Sequence, residues 1–173
     1  MDLILAAPAE RVWEVIGVGF AGIGDWATVI PSSTALPAGQ RLPVAAAVVQ
    51  APVAGRVCDT GIRLVPQVTE TLVVYDDAHR TLTYEASGLP AFMSLARNTW
   101  TVTALDENSC RLSLRARFDT RGLSGWLGRW AILAQTWRYS RRLADDLRHY
   151  VETGTPSTRK QAQQRRRAAT KPR

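Results

Sequence analysis

The chain contains few of the residues that bind metals or form disulfides. Its 173 residues include two cysteines and two histidines. Cys58, His79, Cys110 and His149 lie far apart, without the spacing that zinc ligands have, so we predict no metal site. Two isolated cysteines indicate buried thiols rather than a disulfide, and this favours a reducing, cytoplasmic location.

Long apolar segments are also missing. No run of 18 apolar residues occurs, so no transmembrane helix is expected. The nearest candidate, residues 43–55, is interrupted by Gln50 and Pro52. The N-terminal apolar stretch lacks the basic region of a signal peptide and is soon followed by Glu10 and Arg11, so no secretion signal is predicted.

Cofactor and nucleophile motifs are absent as well. Residues 17–22, GVGFAG, match the spacing G-x-G-x-x-G. However, a helical pattern precedes them where a dinucleotide fold needs a strand, and no acidic residue follows about twenty positions later. Residues 122–125, GLSG, lack the spacing of a nucleophile elbow, and no Walker-type loop is present. We therefore predict no cofactor.

Most of the chain has no excess of positive charge. The sequence has 22 basic and 15 acidic residues. Residues 155–173 hold seven of the basic residues and none of the acidic ones, so residues 1–154 carry 15 charges of each sign. A nucleic-acid-reading domain carries its positive charge on the folded surface, and this neutral body does not indicate one.

The basic segment 155–173 has no aromatic residue and few apolar ones. Such a segment cannot bury enough apolar surface to fold alone. The sequence therefore predicts one folded domain, residues 1–154, followed by a disordered basic tail, residues 155–173. Two interpretations of the tail stay open: a solvated extension, or a segment that is attracted to nucleic acid or another anionic surface.

The body does contain a clear order of hydrophobic patterns. Its first part predicts a strand at 3–7, a helix from Pro8 to Gly17, and a second short helix that ends at Pro31. Residues 34–54 are rich in alanine and proline and have no clear period, so their conformation stays open. From residue 55 onward the pattern is typical of consecutive antiparallel strands.

Alternation is clearest in the last two predicted strands. Asn98, Trp100 and Val102 lie on one face of the first, and Leu112 and Leu114 lie on one face of the second. One apolar and one polar face are typical of an antiparallel sheet that covers a core on one side.

After Gly122 the period becomes helical and continues to Gly154. One apolar stripe runs along this helix, through Trp126, Trp130, Leu133, Trp137, Ser140, Ala144, Leu147 and Val151. The stripe and the sheet face are buried together if the helix lies across a concave sheet. The predicted fold is therefore α+β, with a curved antiparallel sheet wrapped around a long C-terminal helix and two short helices after the first strand.

Five segments resemble a known family when they are taken in order. They are APAERVWEVI, IGDWATVIPSS, ETLVVYDDAHRTLTYEASGLP, NTWTVTALDENSCRLSLRARFD and the final amphipathic helix, which together cover about residues 3–152. They resemble the helix-grip fold of the START/Bet v 1-like (SRPBCC) superfamily, and in particular its bacterial polyketide cyclase/dehydrase branch. The resemblance implies a cavity between sheet and helix for a lipid-, polyketide- or aromatic-like molecule.

Under this resemblance, large rings form the walls of a pocket and a few polar groups orient the ligand. The predicted ligand-binding residues are Trp26, Tyr84, Asn98, Trp100, Trp130 and Trp137. In the alternative interpretation, the tryptophans only fill a core.

Glu70 is the candidate for acid–base chemistry, and its orientation stays open. It faces inward if Leu72 and Val74 do, and outward if Val73 and Tyr75 do. A buried carboxylate there would have a raised pKa and could act as an acid or a base. Three functions follow: binding of a hydrophobic small molecule, a cyclase or dehydratase reaction, or association with nucleic acid through the tail.

Overall fold

Seven antiparallel strands form one curved sheet in the computed structural model, which describes residues 1–36, 51–90, 92–120 and 122–170, with the backbone alone for residues 120 and 122–136. The sheet order is β1-β7-β6-β5-β4-β3-β2. The strands are β1 (Asp2–Leu5), β2 (Ser32–Leu36), β3 (Gly55–Ile62), β4 (Val65–Asp76), β5 (Thr81–Ser87), β6 (Met93–Asp106) and β7 (Ser109–Thr120).

The helices lie in the regions that the sequence predicts, although the second is shorter than predicted, and one further helix was not predicted. The first, α1 (Ala9–Trp13), continues into a π-helical turn (Glu14–Val18), and a 3₁₀ turn (Phe20–Gly22) leads into the short helix α2 (Ile23–Trp26). The long helix is α3 (Gly122–Thr153), and a further helix, α4 (Thr158–Thr170), follows it. The predicted helix-grip architecture is confirmed.

The core lies between the sheet and α3. On the helix, Leu143, Leu147 and Val151 are buried, and they belong to the same hydrophobic cluster as Leu82 and Leu112 of the sheet. The inward residues of the strands and the helical stripe thus meet as their periodicities predict, since both apolar surfaces are removed from water only by facing each other.

The strand β2 was not predicted, because it lies at the start of the alanine- and proline-rich segment. The second helix ends at Trp26 rather than Pro31, and β2 follows it closely. A Cβ atom on Gly24 would lie 2.4 Å from the backbone nitrogen of Ser33. Only glycine therefore lets α2 lie this close to β2. Of the segment whose conformation was open, residues 37–50 lie outside the described residues.

The prediction of a disordered tail is wrong for residues 158–170, which form α4. This helix packs through polar side chains rather than apolar ones. The Lys160 side chain is fully buried, and its Nζ donates to the carbonyl oxygens of Ile30 (2.8 Å) and Pro31 (3.2 Å). The prediction considered apolar burial alone, whereas hydrogen bonds to buried carbonyl groups hold this segment.

Two further contacts fix α4 at the same place. Arg167 Nη1 donates to Asp59 Oδ2 at 2.7 Å, and Gln163 Nε2 donates to the carbonyl oxygen of Thr28 at 3.1 Å. Arg159, Arg165 and Arg166 remain exposed. Association of the basic segment with nucleic acid stays a prediction.

Within the described ranges, no helix is long and apolar enough to cross a membrane. The cytoplasmic location stays a prediction.

Candidate functional site

A buried ion pair joins the adjacent strands β3 and β4 of the sheet. Arg56 of β3 is opposite Glu70 of β4 in the strand register, and Arg56 Nε donates to Glu70 Oε2 at 2.5 Å. The Arg56 side chain is 2% exposed and that of Glu70 is 13% exposed. Removing two charges from water costs free energy unless they pair closely. The strand register that places Arg56 opposite Glu70 is therefore essential for burying this pair.

Aromatic rings surround the Arg56 guanidinium. Its carbon Cζ lies 3.9 Å from the ring centroid of Phe20 and 5.4 Å from that of Tyr84. The ring of Tyr84 lies 6.1 Å from that of Trp100, nearly edge-on. Arg56 Nη1 also donates to the carbonyl oxygen of Phe20 at 2.5 Å. The turn Phe20–Gly22 therefore supplies both a ring and an acceptor to the cation.

One nitrogen of this guanidinium has no partner among the described residues. Arg56 Nη2 is buried and makes no hydrogen bond to any described residue. A buried donor without an acceptor costs about 1–3 kcal/mol, and more when the group is charged. The guanidinium therefore has one buried donor nitrogen, beside aromatic rings, whose hydrogen bonds no described residue accepts.

The thiol and phenols beside the pair hold their protons at neutral pH. Burial, and secondly Glu70, raise the pKa of Cys58 to about 12. The same two causes, in the same order, raise the pKa of Tyr84 and that of Tyr139 on α3. These groups therefore add no further negative charge beside Glu70, and Cys58 Sγ donates to Glu70 Oε2 at 3.8 Å.

The β4 strand explains how Glu70 comes to face inward. Leu72 lies opposite Tyr84, but Val74 lies opposite Thr83, so Val73 is an extra residue that forms a bulge. Leu72 and Tyr75 are both buried, at 1% and 6% exposure. Before the bulge, the residues that alternate with Leu72 face inward, and Glu70 is one of them. After the bulge, the inward residues are those that alternate with Tyr75.

Three of the predicted pocket residues lie together. Trp100 and Tyr84 are buried in ring contact, and Asn98, which is half-buried, lies opposite Tyr84 in the β5–β6 register. Trp26 is also buried, but it stacks on Tyr150 of α3, with 6.4 Å between the ring centroids. Their role in ligand binding stays a prediction.

The two tryptophans predicted on α3 are not part of this group. The side chain of Trp130 lies outside the described residues. Trp137 is 60% exposed, and Arg141 lies over its ring at 4.8 Å. The structure thus corrects the expectation that Trp137 points into the pocket. Its ring lies at the surface, where the guanidinium of Arg141 can cover it.

Sequence reasoning missed Arg56, because an arginine in a strand is usually at the surface. The signal was nevertheless present. Cys58 was expected to be buried, and residues two apart in a strand share a face, which places Arg56 beside it. Phe20 and Tyr139 were missed because a 3₁₀ turn and the flank of a helical stripe have no marked period.

A cleft of about 200 Å³ is lined by Val29, Arg138, Tyr139 and Arg142. Tyr139 is half-buried and packs against the core. Tyr139 therefore borders both the cleft and the hydrophobic core. Among the described residues, no group of side chains could hold a metal ion.

The curved sheet packs around one long helix, and the Arg56–Glu70 pair lies beside aromatic rings. This architecture is that of a helix-grip protein of the START/Bet v 1 superfamily. The family described as "Polyketide cyclase / dehydrase and lipid transport" matches residues 3–152. The chain belongs to this family. No curated protein sequence matches the chain.

Solved structures agree with this fold. The protein XoxI from Bacillus cereus is 19% identical, with a TM-score of 0.65 over 88% of this chain and 94% of its own. The Zhui aromatase/cyclase from Streptomyces sp. R1128 is 20% identical, with a TM-score of 0.64 over 91% and 96%. Norcoclaurine synthase from Thalictrum flavum is 15% identical, with a TM-score of 0.63 over 88% and 84%.

Proposed function

We propose that the protein binds a hydrophobic small molecule between the sheet and α3, and that Arg56 holds an oxygen atom of this molecule. The observation that carries the proposal is the buried Nη2 of Arg56, which has no acceptor among the described residues. The ring faces of Phe20 and Tyr84 on the same guanidinium favour a flat, unsaturated ligand, since aromatic walls with few polar groups are typical of small-molecule sites.

Charge favours a neutral oxygen over a carboxylate at this position. Glu70 already neutralises Arg56 through the 2.5 Å contact. A second buried anion would face the Glu70 carboxylate without a cation of its own. A ketone or an ester oxygen would instead accept from Nη2 at little electrostatic cost. The proposed ligand is therefore an unsaturated or aromatic carbonyl compound.

The test compares two ligands of nearly the same shape, 1-tetralone and tetralin, which differ by the ketone oxygen. Calorimetric titration should give about tenfold tighter binding of the ketone, the usual magnitude of one hydrogen bond to a charged donor. The variant Arg56→Met/Glu70→Met replaces the ion pair by apolar side chains of similar volume. It should bind both compounds with similar affinity. Equal affinity for the two compounds in the wild-type protein would refute the role of Arg56.

A second candidate function is a cyclase or dehydratase reaction, and the inward position of Glu70 favours it. In such a reaction Arg56 would polarise a substrate carbonyl, and Glu70 would take up or deliver a proton beside it. The family description and the aromatase/cyclase with the same fold support this candidate. The variant Glu70→Gln should then bind a poly-β-keto thioester but not convert it. If the wild-type protein also returns the thioester unchanged, the enzymatic candidate is rejected and binding alone remains.

A further inference from the structure

The cleft on α3 has the composition of an anion-binding site. Its lining consists of Arg138 and Arg142, one helical turn apart, with Tyr139 and Val29 between and opposite them. Side chains four residues apart lie side by side on a helix, and two like charges in this position repel each other. The repulsion is relieved when an anion binds between them.

Neither arginine is neutralised within the described residues. The acidic side chains nearest along the helix, Asp145 and Asp146, do not pair with them. Asp146 instead accepts from Thr28 (2.7 Å) and from Ser157 (3.0 Å), while Arg138 and Arg142 form no ion pair in the part of the chain that the structure describes. Two free guanidinium groups beside a cleft of this size suit one carboxylate, sulfonate or phosphate group.

Tyr139 connects this cleft with the interior. It lines the cleft, it is half-buried, and it packs against the hydrophobic core. A ligand that occupied both places would have its apolar body beside Tyr139 and a charged group outside it.

From this arrangement we infer that the cleft is the mouth of the ligand cavity, and that Arg138 and Arg142 bind an anionic group at the outer end of the ligand. The inference rests on the proposed function and narrows the substrate class. The ligand is an amphiphile with an unsaturated carbonyl portion inside and a carboxylate, sulfate or phosphate group at the surface. The reaction that supplies such a ligand must leave a charged group at one end of an apolar molecule.

Two dyes with one skeleton test the inference. 8-Anilinonaphthalene-1-sulfonate carries the anion, and N-phenyl-1-naphthylamine lacks it. Fluorescence titration of the full chain should show that the sulfonate binds about fivefold to tenfold more tightly, as a charge-assisted contact at a partly exposed site would give. This preference should weaken as salt is added, because exposed charges are screened.

The variant Arg138→Gln/Arg142→Gln should bind the two dyes with equal affinity and leave the affinity for the neutral dye unchanged. Arg148→Gln is the matched control, since Arg148 is a half-buried arginine of α3 that does not line the cleft. It should retain the preference. The melting temperature of each variant confirms that it is folded.

The outcomes separate this inference from the proposed function. If the wild-type protein binds both dyes equally, or if the double variant keeps the preference, the inference is overturned while the proposed function stands. If neither dye binds, the proposed function and the inference both fail.

Discussion

The ammonium group of Lys160 donates to the carbonyl oxygen of Ile30 at 2.8 Å, although 130 residues separate the two in the sequence. This contact holds α4 against the connection between α2 and β2. It also places a cation where no water reaches it, which has a measurable consequence for stability.

Lys160 is expected to make the stability depend on alkaline pH. Burial is the main cause that lowers its pKa from 10.5 to about 8, while Asp25 and Asp146 oppose the shift and Arg167 reinforces it. The unfolded chain therefore binds this proton more tightly than the folded protein does. The cost of the buried charge is fully present below pH 8 and is relieved as the pH rises from about 8 towards 10.5.

The measurement compares melting temperatures of the wild-type protein and Lys160→Met between pH 7 and pH 9.5. The melting temperature of the wild-type protein should rise relative to that of the variant across this range. Taking the difference removes the titration of other groups, which both proteins share. A constant difference would mean that Lys160 keeps its ordinary pKa.

The ion pair between Arg56 and Glu70 is expected to show strong non-additivity. Arg56→Met alone leaves a mostly buried carboxylate without its cation and should lower the free energy of unfolding by about 3–5 kcal/mol. Arg56→Met combined with Glu70→Met should recover most of this loss, because paired apolar side chains replace paired charges. The measurement is a double-mutant cycle. It uses urea unfolding of the wild-type protein, of both single variants and of the double variant. Equal losses in the Arg56 single variant and the double variant would contradict the expectation.

Gly24 is expected to tolerate no side chain. In Gly24→Ala the new Cβ would lie 2.4 Å from the backbone nitrogen of Ser33, so α2 or β2 must move, at a cost of about 1–3 kcal/mol. Gly22→Ala is the control, since there the nearest atom is Asp25 Oδ2, at 3.2 Å on a flexible side chain. Thermal unfolding should show a clear loss for the first and little change for the second. Similar melting temperatures would argue against this close approach.

The thiol of Cys58 is expected to be unreactive in the folded protein. Its pKa of about 12, raised mainly by burial, leaves almost no thiolate at pH 8. In a Cys110→Ala background, iodoacetamide should modify Cys58 slowly in buffer and rapidly in urea. Modification at the rate of a free thiol in buffer would contradict the burial of this side chain.

The same pKa has a consequence for stability above pH 9. The thiol of the unfolded chain ionises near its ordinary pKa of 9.0, and that of the folded protein near 12. Its contribution is therefore present below about pH 9 and is lost as the pH rises towards 12. In the Cys110→Ala background, Cys58→Ala should reduce this alkaline loss.

The fold could be predicted because its elements have regular periods. The strand around Trp100 repeats its apolar residues every two positions, and the helix through Leu147 repeats them every three to four. Each period determines which face of the element lies on the core. Tyr84 and Asn98 were identified in the same way. No long-range information was needed for these residues.

The remaining features depend on contacts between residues that are far apart in the sequence, and a hydrophobic period does not reveal such contacts. Lys160 is buried because carbonyl groups far away in the sequence accept its protons. Arg56 is buried because Glu70 lies opposite it and Phe20 covers it. The bulge at Val73 leaves both alternation patterns of β4 equally plausible in the sequence, and only strand pairing decides between them.

The bulge also decides which side chains of β4 enter the interior. In a strand without a bulge, with Tyr75 kept inward, regular alternation would place Val73 and Thr71 on the inner face and turn Glu70 to the outer one. The extra residue at Val73 shifts the alternation by one position, so that Leu72 and Glu70 share the inner face with Tyr75. Deleting Val73 would remove the irregularity and still leave Glu70 opposite Arg56. One backbone irregularity, together with residue type, thus sets the charge of the interior beside Arg56.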